Sequence, residues 1–245
     1  MYQKFTYWTA FHMASIAGHT DLVKLFQAKS AALSIDLNVR ANYGYTAFHF
    51  VCAKGDSNVF INFLENAATL SINLNTTNNG GLTGFHLTCS HGHTDLVKIF
   101  MERAAKLSFD LNAKDNIGRT AFHIACFKGN SDVVQIFMDI TATLSIDLNV
   151  KDNNGWTAIH MACNKGHSDI VKILMENASA LSIHLNIENN EGMTAFHIAC
   201  KEGYSDVVKI FLEYAACLSI DLNVEDKYGK TWQLWQDSLS LGMLS

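Results

Sequence analysis

The sequence indicates an all-α solenoid built of stacked helix-turn-helix repeats, and three observations support this. Seven threonines recur at one spacing, since 46 − 9 is 37 and the same interval separates every later pair. The segment TAFHIAC at 120–126 returns unchanged at 194–200. Apolar residues after each threonine follow helical spacing. The threonines are Thr9, Thr46, Thr83, Thr120, Thr157, Thr194 and Thr231.

The composition limits the classes of protein that fit. The chain has 245 residues, 49% hydrophobic and 17% charged, which favours a packed protein over a disordered one. Because an array grows by adding repeats, we expect one elongated, monomeric domain. A net charge of −5 is too mild for a polybasic nucleic-acid binder. No apolar run approaches the roughly eighteen residues of a membrane span, and no secretion signal is evident, so we expect a cytoplasmic or nuclear location.

Each repeat contains residues that begin and end a first helix. Gly118 lies in a tight turn, where glycine adopts a positive φ at little cost. The hydroxyl of Thr120 can cap the first free amides of a helix, and His123 can reach back to the threonine. The helix AFHIACFK then ends at Gly129, which supplies a left-handed residue.

A second helix follows each first helix. Ser131 is predicted to cap it, and the carboxylate of Asp132 suits the positive end of the helix dipole. The segment DVVQIFMDI has a wide apolar stripe that neighbours can bury. The next residues, LSIDLNVKDNNG, alternate apolar and polar side chains at Leu144, Ile146 and Leu148. This period of two predicts an extended linker buried on one side.

The combined pattern, D-x-x-G-x-T-x-x-H followed by G-[HND]-x-D-x-V, resembles the ankyrin repeat. The resemblance covers six full repeats, with a partial finger, the turn segment that precedes a capping threonine, at 1–8. A partial or capping repeat follows at 231–245. The six repeats are 9–45, 46–82, 83–119, 120–156, 157–193 and 194–230.

Membership of this family implies both a shape and a role. Ankyrin repeats carry projecting β-fingers and stack into a curved solenoid whose concave face binds partner proteins. The resemblance also implies candidate hydroxylation at finger asparagines such as Asn112 and Asn149. We favour the simpler expectation that these asparagines form hydrogen bonds in the turn.

Two departures from the family pattern carry predictions. The usual proline after the threonine is replaced by alanine in most repeats and by Gly84 in the third, so the third repeat should have the weakest first helix by about 1 kcal/mol. Each repeat also exceeds the family length of about 33 residues by four. We therefore expect the second helix to run about one extra turn, at roughly 3.6 residues per turn.

Five repeats contain a His-x-x-Cys motif, which places both side chains on one helical face. This spacing suits half of a zinc site, but stacked helices lie about 8–10 Å apart and zinc ligands lie about 2 Å from the metal. Disulfides are excluded by the same separation. We therefore expect the histidine to bond the cap and the cysteine to pack as a small buried residue. The pairs are His49/Cys52, His86/Cys89, His123/Cys126, His160/Cys163 and His197/Cys200.

The remaining reactive residues suggest no enzyme. His91 and His93 beside Cys89 are the best residual candidates for a metal, although His93 matches a turn histidine of the family. Cys217 is expected to pack. No phosphate loop or nucleophile elbow occurs, so we expect no catalytic residues, no metal and no cofactor.

Candidate partner-binding residues are those that vary between repeats, since the scaffold repeats and ligand-facing positions need not. The residue before each threonine and the end of the first helix are the most variable positions. Aromatic, methionine and arginine side chains there are typical of interface hot spots. The candidates are Trp8, Tyr43, Tyr45, Lys54, Ile117, Arg119, Phe127, Lys128, Trp156, Lys165 and Met193.

The charges suggest one property of the partner. Arg119, Lys128 and Lys165 favour the middle repeats, so a partner protein with an acidic segment is expected there. The resulting hypothesis is a non-enzymatic scaffold or adaptor. The alternative is that the array is the regulatory segment of a larger enzyme or membrane channel.

Overall fold

A computed structural model describes residues 8–225 and residue 227. The chain packs as two compact bodies, residues 1–116 and residues 117–245. In the described part of the first body, helix pairs form three successive repeats; they are α1 Ala10–Ala17, α2 Thr20–Leu33, α3 Ala47–Lys54, α4 Ser57–Asn66, α5 Gly84–His91 and α6 Thr94–Leu107. The described part of the second body has the same arrangement; its helices are α7 Ala121–Lys128, α8 Ser131–Leu144, α9 Ala158–Lys165, α10 Ser168–Asn177, α11 Ala195–Glu202 and α12 Ser205–Tyr214.

The predicted start and end of the first helix are confirmed in every repeat. The Thr120 hydroxyl accepts the His123 backbone N–H, and the Thr120 N–H donates to the His123 ring, so both halves of a capping box are present. Gly129 ends the helix with φ 78°. The first helices α1, α3, α5, α9 and α11 have the same capping box and a left-handed glycine.

The predicted cap of the second helix is wrong by one residue. Asn130, not Ser131, is the N-cap of α8, and its side chain makes no capping bond. The serine or threonine that follows already has helical geometry, so its hydroxyl is too far along the helix to cap it. Asp56 of α4 is different, because its carboxylate accepts the backbone N–H groups of Asn58 and Val59 at 3.0 Å each.

The extra turn of the second helix is confirmed in α2, α6 and α8, which have 14 residues each. The helices α4, α10 and α12 have 10 residues, and turns continue them. In the turn after α4, the Leu70 N–H donates to the Asn66 carbonyl at 3.0 Å, so the helical bonding persists. Leu144 accordingly ends α8 and does not belong to the linker.

A serine in left-handed geometry closes each second helix. Ser71 has φ 52°, and the next N–H, that of Ile72, donates back to the Ala67 carbonyl at 2.8 Å. This bond is the mark of a Schellman motif, which turns the chain sharply at a helix end. Ile72 is buried, as are Ile146 and Leu148, so the one-sided burial of the linker is confirmed.

We define the fingers as the seven residues ending at each of five threonines and count 40–46 as the first finger; all five are turns, and they end at Thr46, Thr83, Thr120, Thr157 and Thr194. No β-strand occurs in residues 8–225 or 227, so the β-fingers implied by the resemblance are not formed as strands. In the finger 151–157, the buried Asp152 carboxylate accepts the N–H groups of Asn154 and Trp156 at 2.8 Å each. Asn78 and Asn189 do the same in their fingers.

Close packing against the preceding repeat accounts for glycine at position 84. A Cβ atom on Gly84 would lie 2.7 Å from Cys52 Sγ and 2.9 Å from the Phe48 ring, both of which are fully buried in the preceding repeat. Helix propensity alone therefore does not describe Gly84, because α3 and α5 are in close contact here.

Candidate functional site

The repeated histidines form hydrogen bonds through both ring nitrogens. The Thr157 N–H donates to His160 Nδ1 at 3.1 Å, and His160 Nε2 donates to the Met193 carbonyl of the next finger at 3.1 Å. His49 bonds Thr46 and the Leu82 carbonyl in the same way. These partners fix the neutral ring with its proton on Nε2. The histidines therefore tie each first helix to the following finger.

Burial keeps these rings neutral. It lowers the pKa of His49 and of His160 to about 4, despite their bonds to backbone carbonyls. The pKa of His12 is lowered for the same reason. A neutral ring with both nitrogens engaged has no lone pair left for a metal.

The motif cysteines are buried thiols without a metal-site geometry. Burial raises the pKa of Cys89 and Cys163 well above the usual range of a thiol, and that of Cys200 to about 11. Among the described residues, no three His, Cys, Asp or Glu side chains lie close enough to hold an ion. Cys217, which was expected to pack, is exposed, and its thiol donates to the Tyr214 carbonyl.

Two histidines outside the motif, His91 and His93, also bond carbonyls. His91 Nδ1 donates to the Leu87 carbonyl at 2.9 Å, and His93 Nε2 donates to the Ala53 carbonyl of the preceding repeat at 2.9 Å. Their rings stack with centroids 5.9 Å apart. His93 thus serves as a contact between repeats.

Neighbouring fingers within each body are joined through backbone bonds at their tips. The Asn79 N–H donates to the Tyr43 carbonyl at 2.8 Å in the first body, and the Asn190 N–H donates to the Asn154 carbonyl at 3.0 Å in the second. The Asn190 side chain adds a bond to the Asn153 carbonyl. The finger tips are therefore held in a fixed register within each body. Their side chains project from positions that these backbone bonds fix.

The asparagine proposed to bond its own turn instead bridges two repeats. Asn149 Nδ2 donates to the Ser182 carbonyl at 2.8 Å, while its Oδ1 accepts the His184 N–H at 2.7 Å. Asn38 and Asn186 make the equivalent pair of bonds. Both ends of the amide are therefore used by the scaffold.

The first body brings two predicted residues together around a third that the sequence did not indicate. The Phe50 ring stacks with the rings of both Trp8 and Tyr45, whose centroids lie 4.6 Å and 5.4 Å away. Phe50 was missed because it lies among the core positions of the first helix, yet its side chain is only half-buried. Met13, at the equivalent position of the first repeat, is 54% exposed.

Tyr43 and Lys54 lie at exposed positions beside this group. Tyr43, at the tip of the first finger, is 77% exposed and has a left-handed backbone with φ 56°. Lys54 ends α3, one helical turn beyond Phe50, and is exposed.

In the second body, the predicted residues differ in exposure. Ile117 and Lys128 are exposed, and Arg119 and Trp156 are half-buried. The Lys165 ammonium lies 4.8 Å from the centre of the half-buried Phe127 ring, a cation–π contact between α9 and α7.

Met193 was predicted to bind a partner, and the structure corrects this prediction. Its side chain is only 4% exposed, so it packs inside the second body and offers no area to a partner. Trp156 occupies the equivalent position and is half-buried, with its ring 5.9 Å from that of His160. A position that varies in residue type therefore also varies in exposure.

No described helix is both long and apolar enough to cross a membrane. A cavity of about 500 Å³ in the second body is lined by linker residues such as Ile183, His184 and Ile187, and none of the predicted residues reaches it.

Comparison with known proteins agrees with the helix pairs and turns described above. The family model described as "Ankyrin repeats (3 copies)" matches residues 51–146 and 139–226. No curated protein matches the chain. The matched residues span most of the sequence, and the chain belongs to the ankyrin-repeat family.

Proposed function

We propose that this chain is a non-enzymatic scaffold or adaptor that binds a partner protein through its fingers and first helices. Ankyrin repeats are in general protein–protein interaction modules, which supports the coarser part of the proposal. The finer part rests on the contrast between the invariant scaffold and the varied residues it presents.

That contrast is the observation that carries the proposal. The capping threonine and histidine are the same in all six repeats and make the same bonds. The residue just before the threonine differs in size, charge and polarity, and in five repeats its side chain is at least partly exposed. A residue that served only repeat stacking would be expected to recur. The five partly exposed residues that precede a capping threonine are Trp8, Tyr45, Leu82, Arg119 and Trp156.

We further propose that the second body binds an acidic segment of the partner. Lys128 and Lys165 end neighbouring first helices, and both are exposed. Phe127 lies under Lys165, so the same surface has a cation and an aromatic face in contact. Cations on an interface raise the rate of association with an acidic partner and confer salt dependence.

The test compares the proteins that cross-link to two charge-reversed forms of the whole chain. Lys128→Glu with Lys165→Glu is expected to lose partners that the wild-type chain captures, because two attractive charges become repulsive. The matched control is Lys172→Glu, an exposed lysine of the second helix α10. Captured proteins are identified by mass spectrometry, and binding is repeated from low to high salt.

The expected result is a set of partners lost by the double reversal, kept by the control and bound more weakly at high salt. If the double reversal and the control capture the same proteins at every salt concentration, the acidic-partner proposal is wrong.

A further inference from the structure

The first body has an apolar surface that differs in chemistry from the lysines of the second body. We define the aromatic surface as Trp8, Met13, Tyr43, Tyr45 and Phe50. Trp8 and Tyr45 both stack with Phe50, while Met13 and Tyr43 are exposed, with exposed fractions of 54% and 77%. Exposed apolar side chains gathered in this way mark interaction sites more often than solvated surface.

The scaffold does not require this surface. Leu87, in the third repeat, is equivalent to Met13 and Phe50 but is only 5% exposed. Its burial shows that a first helix can be packed with this position covered. The first repeat and the second repeat leave the same position partly uncovered at Met13 and Phe50, so the exposed area is additional to what folding needs.

The first finger is also built differently from the others. Ala41 stands where Asn78, Asp152 and Asn189 accept the finger's N–H groups, so the first finger has no side chain to hold its tip. Its tip instead turns through Tyr43, whose φ of 56° is unfavourable for an aromatic residue. None of the described residues at the equivalent finger position has a positive φ.

Glycine or asparagine would suit the backbone of Tyr43 better, since both accept left-handed geometry at lower cost. Backbone strain that folding does not require is commonly associated with function. The Tyr43 side chain is exposed and lies two residues before Tyr45, so one extended partner segment can reach both residues.

Charge indicates what the aromatic surface accepts. The first helices 10–17 and 47–54 and the first finger 40–46 contain no aspartate or glutamate. They contain two cations, Lys54 and Arg40, and the Arg40 guanidinium is already bonded to the Thr77 carbonyl. Lys54 lies one turn beyond Phe50, so a carboxylate near Lys54 would place neighbouring side chains over the aromatic rings.

We propose that the aromatic surface docks an extended peptide segment of a partner protein, in which an aromatic or long aliphatic side chain lies close to a carboxylate. The apolar side chain packs on Tyr43, Tyr45 and the stacked rings, and the carboxylate pairs with Lys54. This inference rests on the proposed protein-binding function and adds the chemistry of one partner segment.

The test uses a random library of twelve-residue peptides displayed on phage and selected against the full-length chain. Enriched peptides are synthesised with a fluorescent label, and their affinity is measured by anisotropy for the wild-type chain and for Tyr43→Gly, Tyr45→Ala and Lys54→Glu. We expect enriched peptides to combine an apolar anchor with an acidic residue. Each substitution should weaken their binding by about tenfold or more, as truncated hot-spot residues do.

Tyr43→Gly separates binding from folding, because glycine fits the left-handed backbone. It is expected to keep or raise the melting temperature while the affinity falls. The matched control is Leu25→Ala, which removes an exposed leucine from the second helix of the same body and should leave the affinity unchanged.

Three outcomes overturn the inference. In the first, the enriched peptides bind all three variants as tightly as wild type. In the second, the enriched peptides lack an apolar anchor or an acidic residue, and in the third, no peptide is enriched. If the peptides instead depend on Lys128 and Lys165, the aromatic docking site is wrong while the proposed protein-binding function stands.

Discussion

Individual residues that break the repeat pattern reveal where the scaffold is weakest. Gln27 is 4% exposed, and neither its amide oxygen nor its amide nitrogen has a hydrogen-bond partner. At the equivalent position, the other repeats of the first body have Leu64 and Met101, both buried. Asn62, opposite in α4, also has an unpaired oxygen. The interface between α2 and α4 is therefore unusually polar.

Gln27→Met should stabilise the protein by about 1–2 kcal/mol, because leaving a buried amide unpaired costs about 1–3 kcal/mol. Urea unfolding followed by circular dichroism measures the change. The control is Gln135→Met, an exposed residue of α8 for which a change of less than about 0.5 kcal/mol is expected. A fall in stability on Gln27→Met would mean that the amide is paired in solution.

Some residue-level features followed directly from the sequence, and others did not. The threonine–histidine capping box depends only on residues three apart, so its spacing alone predicted it. The exposure of Phe50 and the burial of Met193 depend on what the neighbouring repeats place over them. The local sequence pattern contains no such information, so the exposure of the candidate binding residues was harder to predict than the caps.

At the level of the helices, boundaries followed from glycine and from length. The left-handed glycines ended every first helix as predicted, whereas only the second helices α2, α6 and α8 reach 14 residues. The N-cap of the second helix was misplaced because His19, Asn130 and Tyr204 begin helices without a side-chain capping bond. Serine and threonine, which do cap helices elsewhere, stand one residue later and were the more obvious choice.

Helix α5 offers a prediction in which propensity and packing oppose each other. Gly84→Ala gains about 1 kcal/mol in helix propensity, but the new Cβ meets Cys52 Sγ and the Phe48 ring at less than 3 Å. Overpacking a buried contact costs about 1–3 kcal/mol, so the variant is expected to be destabilised by roughly 1 kcal/mol. The measurement is the shift in the urea midpoint.

A second background tests the cause of that loss. In the Cys52→Ala variant the sulfur is absent, so Gly84→Ala should destabilise that variant less than it destabilises the wild-type chain. A stabilised Gly84→Ala single variant would contradict the prediction and leave helix propensity as the dominant effect.

For the molecule as a whole, the buried His49 and His160 make stability depend on pH. His49 and His160 have a pKa of about 4 in the folded chain, against 6.5 when the chain is unfolded. The unfolded chain therefore binds more protons between these values, and stability falls as pH decreases from 6.5 towards 4. Each histidine contributes up to about 3 kcal/mol above pH 6.5, since one pKa unit corresponds to about 1.4 kcal/mol.

We expect the urea midpoint to fall between pH 7.5 and pH 5. His160→Gln should be less stable than wild type at pH 7.5 and should lose less stability on acidification, because one titrating group is absent. Equal losses in the two proteins would show that His160 does not titrate on unfolding in this range.

The hydrogen bonds between repeats also constrain how such a chain can change in length. Arg40 bonds Thr77, Asn116 bonds Asn79, and Lys151 bonds Glu188, in each case across 37 residues. One residue inserted into a finger would shift the donor and acceptor of each bond that spans the insertion out of register, whereas one whole period inserted or removed would restore each pairing. Evolution by duplication or loss of complete repeats is thus the path along which every bond survives.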